Sequence, residues 1–169
     1  MNEQRLIVIL LGKACVGKTT AEKQLISELG YDPVSITTTR DKRSDDPEYY
    51  SFVTKEEFKD LNFDYVISVN NEYGYRISES GFQVVSFISP YLVNGFLESV
   101  QNDDVRVIVV EITANKKDLE DCLKERNMSD QTFREEASTN GKCRVDFSID
   151  RNEIFNQIQA LTENHKLGT

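Results

Sequence analysis

The sequence predicts an α/β fold, with a parallel central sheet covered by helices on both faces. Three observations predict it. Residues 5–11 (RLIVILL) and 105–112 (VRVIVVEI) are unbroken apolar runs, the pattern of strands buried on both sides. Each is followed by a stretch with helical signals, so strand and helix alternate along the chain. Between the first run and its helix lies a glycine-rich turn, GKACVGKT at 12–19.

The elements follow in order. A helix over 19–29 puts Ala21, Leu25 and Leu29 on one face, and Gly30 stops it. Residues 33–37 read as a second strand, and the charged segment 41–48, with Pro47, as a loop. Thr54 opens a helix with Glu57 three residues on, a capping box. Residues 63–69 and 73–77 alternate as small strands, and 82–88 is another apolar strand. Ser89-Pro90 begins a helix by cap and first-turn proline. After the run at 105–112 come a helix over 115–126, a polar stretch and a further helix to Thr139. A last strand at 145–149 and a helix capped by Asp150, with Glu153 three residues on, complete the chain. The stretch 36–80 breaks the strand–helix rhythm, holds five of the seven tyrosines, and reads as an insertion over one sheet edge. The expected organisation is one domain over 1–169: a core of 1–35 and 81–169, the insertion at about 36–80, and a short lid at about 126–140.

Composition narrows the functions. A chain of 169 residues, 38% hydrophobic and 29% charged, can bury its own core and is globular. No apolar run approaches the length of a membrane helix, and the first is too short for a signal peptide, so a cytoplasmic protein is expected. The net charge of −9 argues against nucleic acid and anionic membranes as partners, which need a basic face. Cys15, Cys122 and Cys143 are odd in number and lack CxxC spacing, so neither a zinc site nor a disulfide framework is expected.

Residues 12–19 match GxxxxGK[ST] at every fixed position, with an apolar strand before and an amphipathic helix after. In such a loop the glycines let the backbone curl until its N–H groups face phosphate oxygens, and the helix adds its positive end. Gly12, Lys13, Ala14, Cys15, Val16, Gly17, Lys18, Thr19 and Thr20 are therefore the candidate ATP-binding residues. Lys18 supplies a mobile charge to the terminal phosphates, and the Thr19 hydroxyl is a ligand for Mg²⁺ bound with ATP.

A second anion site is legible in TTTRDKR at 37–43, where three hydroxyls and three cations share seven residues of an acidic chain. Arg40 and Arg43, at a strand exit, suit a forked grip on phosphate. Two phosphate sites together point to phosphoryl transfer between nucleotides.

The loop at 12–19, TTTRDKR at 37–43, YYSFVTKEEF at 49–58 and EYGY at 72–75, in this order and rough spacing, resemble guanylate kinase. The resemblance is dense over 5–80 and thinner over 105–160. It implies a P-loop NTPase-type three-layer fold with a small mixed β/α insertion for the nucleoside monophosphate and a short lid. It further implies that Arg40, Arg43, Tyr50 and Tyr73 hold the acceptor phosphate. Asp64 falls where the family keeps a glutamate that reads the guanine edge. Tyr75 stands where the family has a small hydroxyl residue touching guanine. Ser35 or Ile36 takes the place of a phosphate-contacting serine, with Thr37 as substitute. Ser86, Phe87 and Ile88 replace the family's strand acids. Arg126 and Arg134 match lid arginines that would close on the moving phosphoryl group beside Lys18 and Arg40.

The implied activity is ATP-dependent phosphorylation of GMP or dGMP. Another (deoxy)nucleoside monophosphate as acceptor, and a non-catalytic guanylate kinase-like binding module, are the alternatives. The implied partners are ATP and a monophosphate, the implied assembly a monomer or homodimer. Neither HRD nor DFG occurs, which excludes a protein kinase, and the single histidine, His165, sits in a polar tail.

Overall fold

In the computed structural model, which describes residues 5–13, 16–44, 46–79, 81–101, 103–125 and 142–167, β1 (Arg5–Leu11) is the central strand. It runs parallel between β7 (Gly81–Phe87) and β8 (Arg106–Thr113), with Val8 level with Val84 and Ile108. β2 (Asp32–Pro33) and β9 (Phe147–Asp150) close the two edges, giving the order β2-β7-β1-β8-β9, parallel throughout.

The two-residue period of a strand divides β1 between two cores. Leu6, Val8 and Leu10 face one side. There they meet Ala21 and Leu25 of α1 (Lys18–Ser27), and Ile154 and Ile158 of the last helix. Ile7, Ile9 and Leu11 face the other side, against Val93, Phe96 and Val100 of α3 (Pro90–Val100) and the aromatic face of a second sheet. Each of these fully buried aliphatic side chains contributes about 1.5–3 kcal/mol. An unbroken apolar run is what a strand covered on both faces requires, and the sequence expectation for β1 and β8 holds.

The second strand differs from expectation. The segment read as one strand at 33–37 is two. β2 pairs with β7 in the main sheet, and the Val34 N–H makes a further bond to the Val84 carbonyl. The chain then leaves the main sheet, and β3 (Ser35–Thr38) enters the other one. Pro33 has no N–H to continue a ladder, and the buried Val34 side chain anchors the crossing.

The second sheet has the order β4-β3-β6-β5. β4 (Tyr50–Phe52) is parallel to β3; β6 (Asn71–Arg76) is antiparallel to β3 and to β5 (Tyr65–Val69). Asn70 turns the β5–β6 hairpin at φ 59°, a left-handed conformation that asparagine tolerates. α2 (Lys55–Lys59) carries the expected capping box: the Glu57 N–H donates to Thr54 Oγ1 at 3.1 Å and the Thr54 N–H to Glu57 Oε1 at 3.3 Å.

α4 (Lys116–Glu125) is opened by Asn115, whose Oδ1 accepts from the Asp118 N–H at 2.8 Å. Asp150 caps differently from expectation. Its carboxylate accepts from the Asn152 N–H, closing a 3₁₀ turn (Arg151–Glu153) before α5 (Ile154–Leu167) begins. Cys143 is a free thiol, but Cys122 on α4 is disulfide-bonded, against the expectation of unbridged cysteines. Among the described residues no helix is long and apolar enough to cross a membrane. The expected helix ending at Thr139 and the lid at about 126–140 lie outside the described residues.

Candidate functional site

The glycine loop sits where β1 hands over to α1. The Gly12 N–H donates to the Phe87 carbonyl at 3.2 Å, binding the loop to the end of β7. A Cβ on Gly12 would lie 2.9 Å from the Ile112 carbonyl oxygen, so close backbone approach requires glycine there. Gly17, at φ 109° and ψ 16°, turns the chain into α1. A Cβ there would also lie 2.9 Å from Ile154 Cδ1. Gly17→Ala is expected to cost about 1–2 kcal/mol from the left-handed conformation alone, measured by chemical denaturation. An unchanged midpoint and slope would mean that the turn rearranges freely.

The Lys18 ammonium folds back and donates to the Gly12 carbonyl, over the loop whose N–H groups would receive phosphate. Thr19 and Thr20 are exposed on the first turn of α1, and Lys13 is exposed at the loop entrance. Val16 is buried, and its side chain packs in the core. Ala14 and Cys15 lie outside the described residues. A cavity of about 320 Å³, lined by Gly12, Lys13, Ser89, Glu111 and Thr113 among others, opens beside the loop at the carboxyl ends of β1 and β8, the edge where parallel sheets take ligands.

Strand register decides which acceptor-side candidates meet. Tyr50, Ile36, Tyr75 and Tyr65 form one row across the second sheet; Phe52, Thr38, Tyr73 and Ile67 form the next row that shares its face. Arg40 emerges beside this face. Its guanidinium lies 5.4 Å from the centre of the Tyr50 ring and 5.6 Å from that of Phe52, and it feels the Tyr73 and Tyr50 hydroxyls. Arg40, Tyr50 and Tyr73 are thus brought together. Thr37 is one residue out of phase and lies on the opposite face. Thr38, which the sequence reading passed over, takes the inner place: its Oγ1 donates to the Glu72 carbonyl at 2.8 Å and accepts from the Arg40 N–H at 3.2 Å.

Arg40 has a partner that sequence reasoning missed. Asp46 accepts from both terminal nitrogens, at 2.9 and 2.6 Å, and also from the Arg43 N–H at 2.6 Å. Only 12% of the Arg40 side chain and 7% of the Asp46 side chain are exposed. The hydrogen bonds from Arg40 raise the arginine's pKa and hold the Asp46 carboxyl down at about 2, with the Arg43 N–H helping. The signal available was an acid six residues after an arginine in a charged loop, which no fixed spacing rule detects.

This pair predicts a pH dependence. Asp46 is depressed on folding, so its stabilisation is present above the ordinary aspartate value and is lost as pH falls from about 4 towards about 2. The thermal midpoint of Asp46→Asn should lie below wild type at pH 6, with the gap closing as pH 2 is approached. A gap constant over that range would contradict the linkage.

Other candidates lie elsewhere. The Arg43 side chain is exposed, and its backbone rather than its guanidinium meets Asp46. Tyr75 is 7% exposed, packed against Tyr65 and Phe87, and burial pushes its phenol far up; it is a core residue of this face. Asp64 is exposed just before the edge strand β5, and its carboxylate accepts from the Ile77 N–H at 2.8 Å. This bond holds it at the end of the β5–β6 hairpin remote from Arg40. Arg126 and Arg134 lie outside the described residues. Arg144 donates to the Val107 carbonyl and to Asp146.

A second missed residue lies between the two halves. Glu22, on α1 one turn after Lys18, accepts from the Tyr49 hydroxyl at 2.6 Å. Burial is the main cause raising the Glu22 pKa, opposed by Tyr49, Ser86 and the Lys18 charge. Burial and the facing carboxylate raise that of Tyr49.

No family model matches the chain. A curated guanylate kinase from Mycoplasmoides gallisepticum (strain R(low / passage 15 / clone 2)) is 40% identical over 86 residues, which is 46% of this chain and 44% of that protein. The match therefore spans less than half of that relative's length. The crystal structure of guanylate kinase from Anaplasma phagocytophilum shares the fold, with a TM-score of 0.62 over 98% of this chain and 87% of that one, at 14% identity. With its parallel sheet, glycine loop and second sheet, the chain has the α/β fold of that guanylate kinase structure, and over part of its length its sequence is similar to a guanylate kinase.

Proposed function

We propose that the chain is an ATP-dependent nucleoside monophosphate kinase that transfers the γ-phosphoryl group to GMP or dGMP. One observation carries this reading. The arginine–tyrosine cluster of the second sheet is tied, through the Tyr49–Glu22 hydrogen bond, to the helix that bears Lys18, which supports reading the two as neighbouring acceptor and donor phosphate sites. A nucleotide hydrolase has no use for the second site.

The roles follow from charge and geometry. The loop N–H groups and the start of α1 take the donor phosphates, and Lys18 follows the terminal one. Arg40, with Tyr50 and Tyr73, holds the acceptor phosphate, which competes with Asp46 for the guanidinium. A monophosphate oxygen is already a competent nucleophile near neutral pH, so catalysis is positioning and charge neutralisation and no general base is needed. Lid arginines Arg126 and Arg134 supply further charge and exclude water. Thr19 is a hard oxygen donor on the exposed first turn. Among the described residues no three His, Cys, Asp or Glu side chains gather to cage a metal. That donor set fits Mg²⁺ held mainly by nucleotide phosphates, where it would neutralise their charge.

The base is the finer question. Tyr75 is built into the aromatic core and the Asp64 carboxylate is engaged by the Ile77 N–H, which favours testing acceptors other than guanine nucleotides. A coupled ADP-release assay with ATP, Mg²⁺ and each ribo- and deoxymonophosphate, against a no-acceptor blank, decides it. Release with GMP or dGMP alone supports the reading. Release with a different base keeps the kinase and removes Asp64 from the base site. Release with none removes the kinase and leaves a binding module.

A further inference from the structure

Several observations converge on Glu22. It lies four residues after Lys18, so the two side chains share one face of α1. Its carboxylate is largely buried and accepts from Tyr49 Oη at 2.6 Å, a residue 27 positions away. The Tyr49 carbonyl accepts from the Ile36 N–H at 3.3 Å, so this residue already belongs to the edge of the second sheet. The next residue, Tyr50, has its ring 5.4 Å from that of Tyr49, and the same ring lies beside the Arg40 guanidinium. The Ser86 hydroxyl, near the end of β7, faces the same carboxylate and draws the Glu22 pKa down.

A buried carboxylate is expensive unless its partner compensates for lost water. Core packing does not need one here: Ala21 and Leu25, its neighbours on α1, meet an aliphatic core. The helix with Lys18 and the strand with Tyr50 belong to separate sheets, joined near this point by the Glu22–Tyr49 bond. We propose that Glu22 is a positioning residue that, through the Tyr49 hydroxyl, fixes the distance between the phosphate loop and the acceptor-phosphate cluster. It touches neither nucleotide. The inference rests on the kinase reading above, and deepens it by naming what sets the alignment of its two halves.

Alignment governs rate steeply: a misplacement of about 1 Å costs on the order of a hundredfold. Glu22→Ala and Tyr49→Phe are expected to lower kcat roughly ten- to a hundredfold, with the ATP KM within about threefold of wild type. The double variant should be no slower than the worse single one, because both remove the same bond. Glu22→Gln keeps an oxygen that accepts from Tyr49 and should restore kcat to within about threefold of wild type. Thermal midpoints of all four variants, run as the same cycle, separate loss of folding from loss of alignment.

Losses in kcat that multiply in the double variant, or a Glu22→Gln variant as slow as Glu22→Ala, would overturn the proposal. So would an unchanged kcat in both single variants. A wild-type chain that phosphorylates no monophosphate overturns the kinase reading instead. The tether is then judged by the midpoints alone, where non-additive losses support it and additive ones reject it.

Discussion

Lys18→Ala is expected to lower phosphoryl transfer by about a hundred- to a thousandfold, the usual cost of removing one preorganised charge from a developing transition state. The reason is positional. Lys18 opens α1 directly after Gly17, and its ammonium already reaches back to the Gly12 carbonyl, over the loop that would hold the terminal phosphates. Its loss is expected to leave the fold intact, because its ammonium bonds a loop carbonyl. The checks are steady-state kinetics at saturating monophosphate together with the thermal midpoint. A variant with normal kcat and normal ATP KM would remove the glycine loop from the chemistry.

Arg40→Ala is expected to be as damaging, and in a different way. It should raise the monophosphate KM and lower kcat together, by about a hundredfold or more in kcat/KM, because the grip on the acceptor also aims its oxygen. It should also destabilise the fold. Asp46 would be left 7% exposed with the Arg43 N–H and without its forked partner. Arg40→Lys should not rescue, since an ammonium cannot take both carboxylate oxygens in parallel. Arg40→Ala/Asp46→Asn should recover stability but not activity, which separates the two roles. A normal monophosphate KM in Arg40→Ala would move the acceptor site elsewhere.

The parts of this site that the sequence exposed are those in which spacing along the chain is itself the mechanism. Gly12, Gly17, Lys18 and Thr19 lie within eight residues, where curl, charge and hydroxyl are set by local backbone geometry. The strands at 5–11 and 105–112 were legible because burial on both faces leaves a composition signature. The capping box of Thr54 and Glu57 is likewise local.

Contacts made across the fold were not legible. Glu22 and Tyr49 meet over 27 positions, and nothing in either neighbourhood announces the other. Asp46 read as one charge among many in a loop. Thr37 and Thr38 are adjacent in sequence, and only the pairing of β3 with β6 reveals which of them shares a face with Tyr73. Tyr75 offered a tyrosine at a position of functional interest; packing against Tyr65 and Phe87 makes it core. The strand at 33–37 divided because Val34 joins two sheets, a tertiary fact that short β patterns do not carry.

The central claim is that the two anion sites exchange a phosphoryl group. Its most direct test follows the label from γ-labelled ATP incubated with the protein, Mg²⁺ and GMP. The account predicts label in the β-position of GDP, in step with ADP. Label released as inorganic phosphate, or retained in ATP with GMP and every other monophosphate tried, would contradict it.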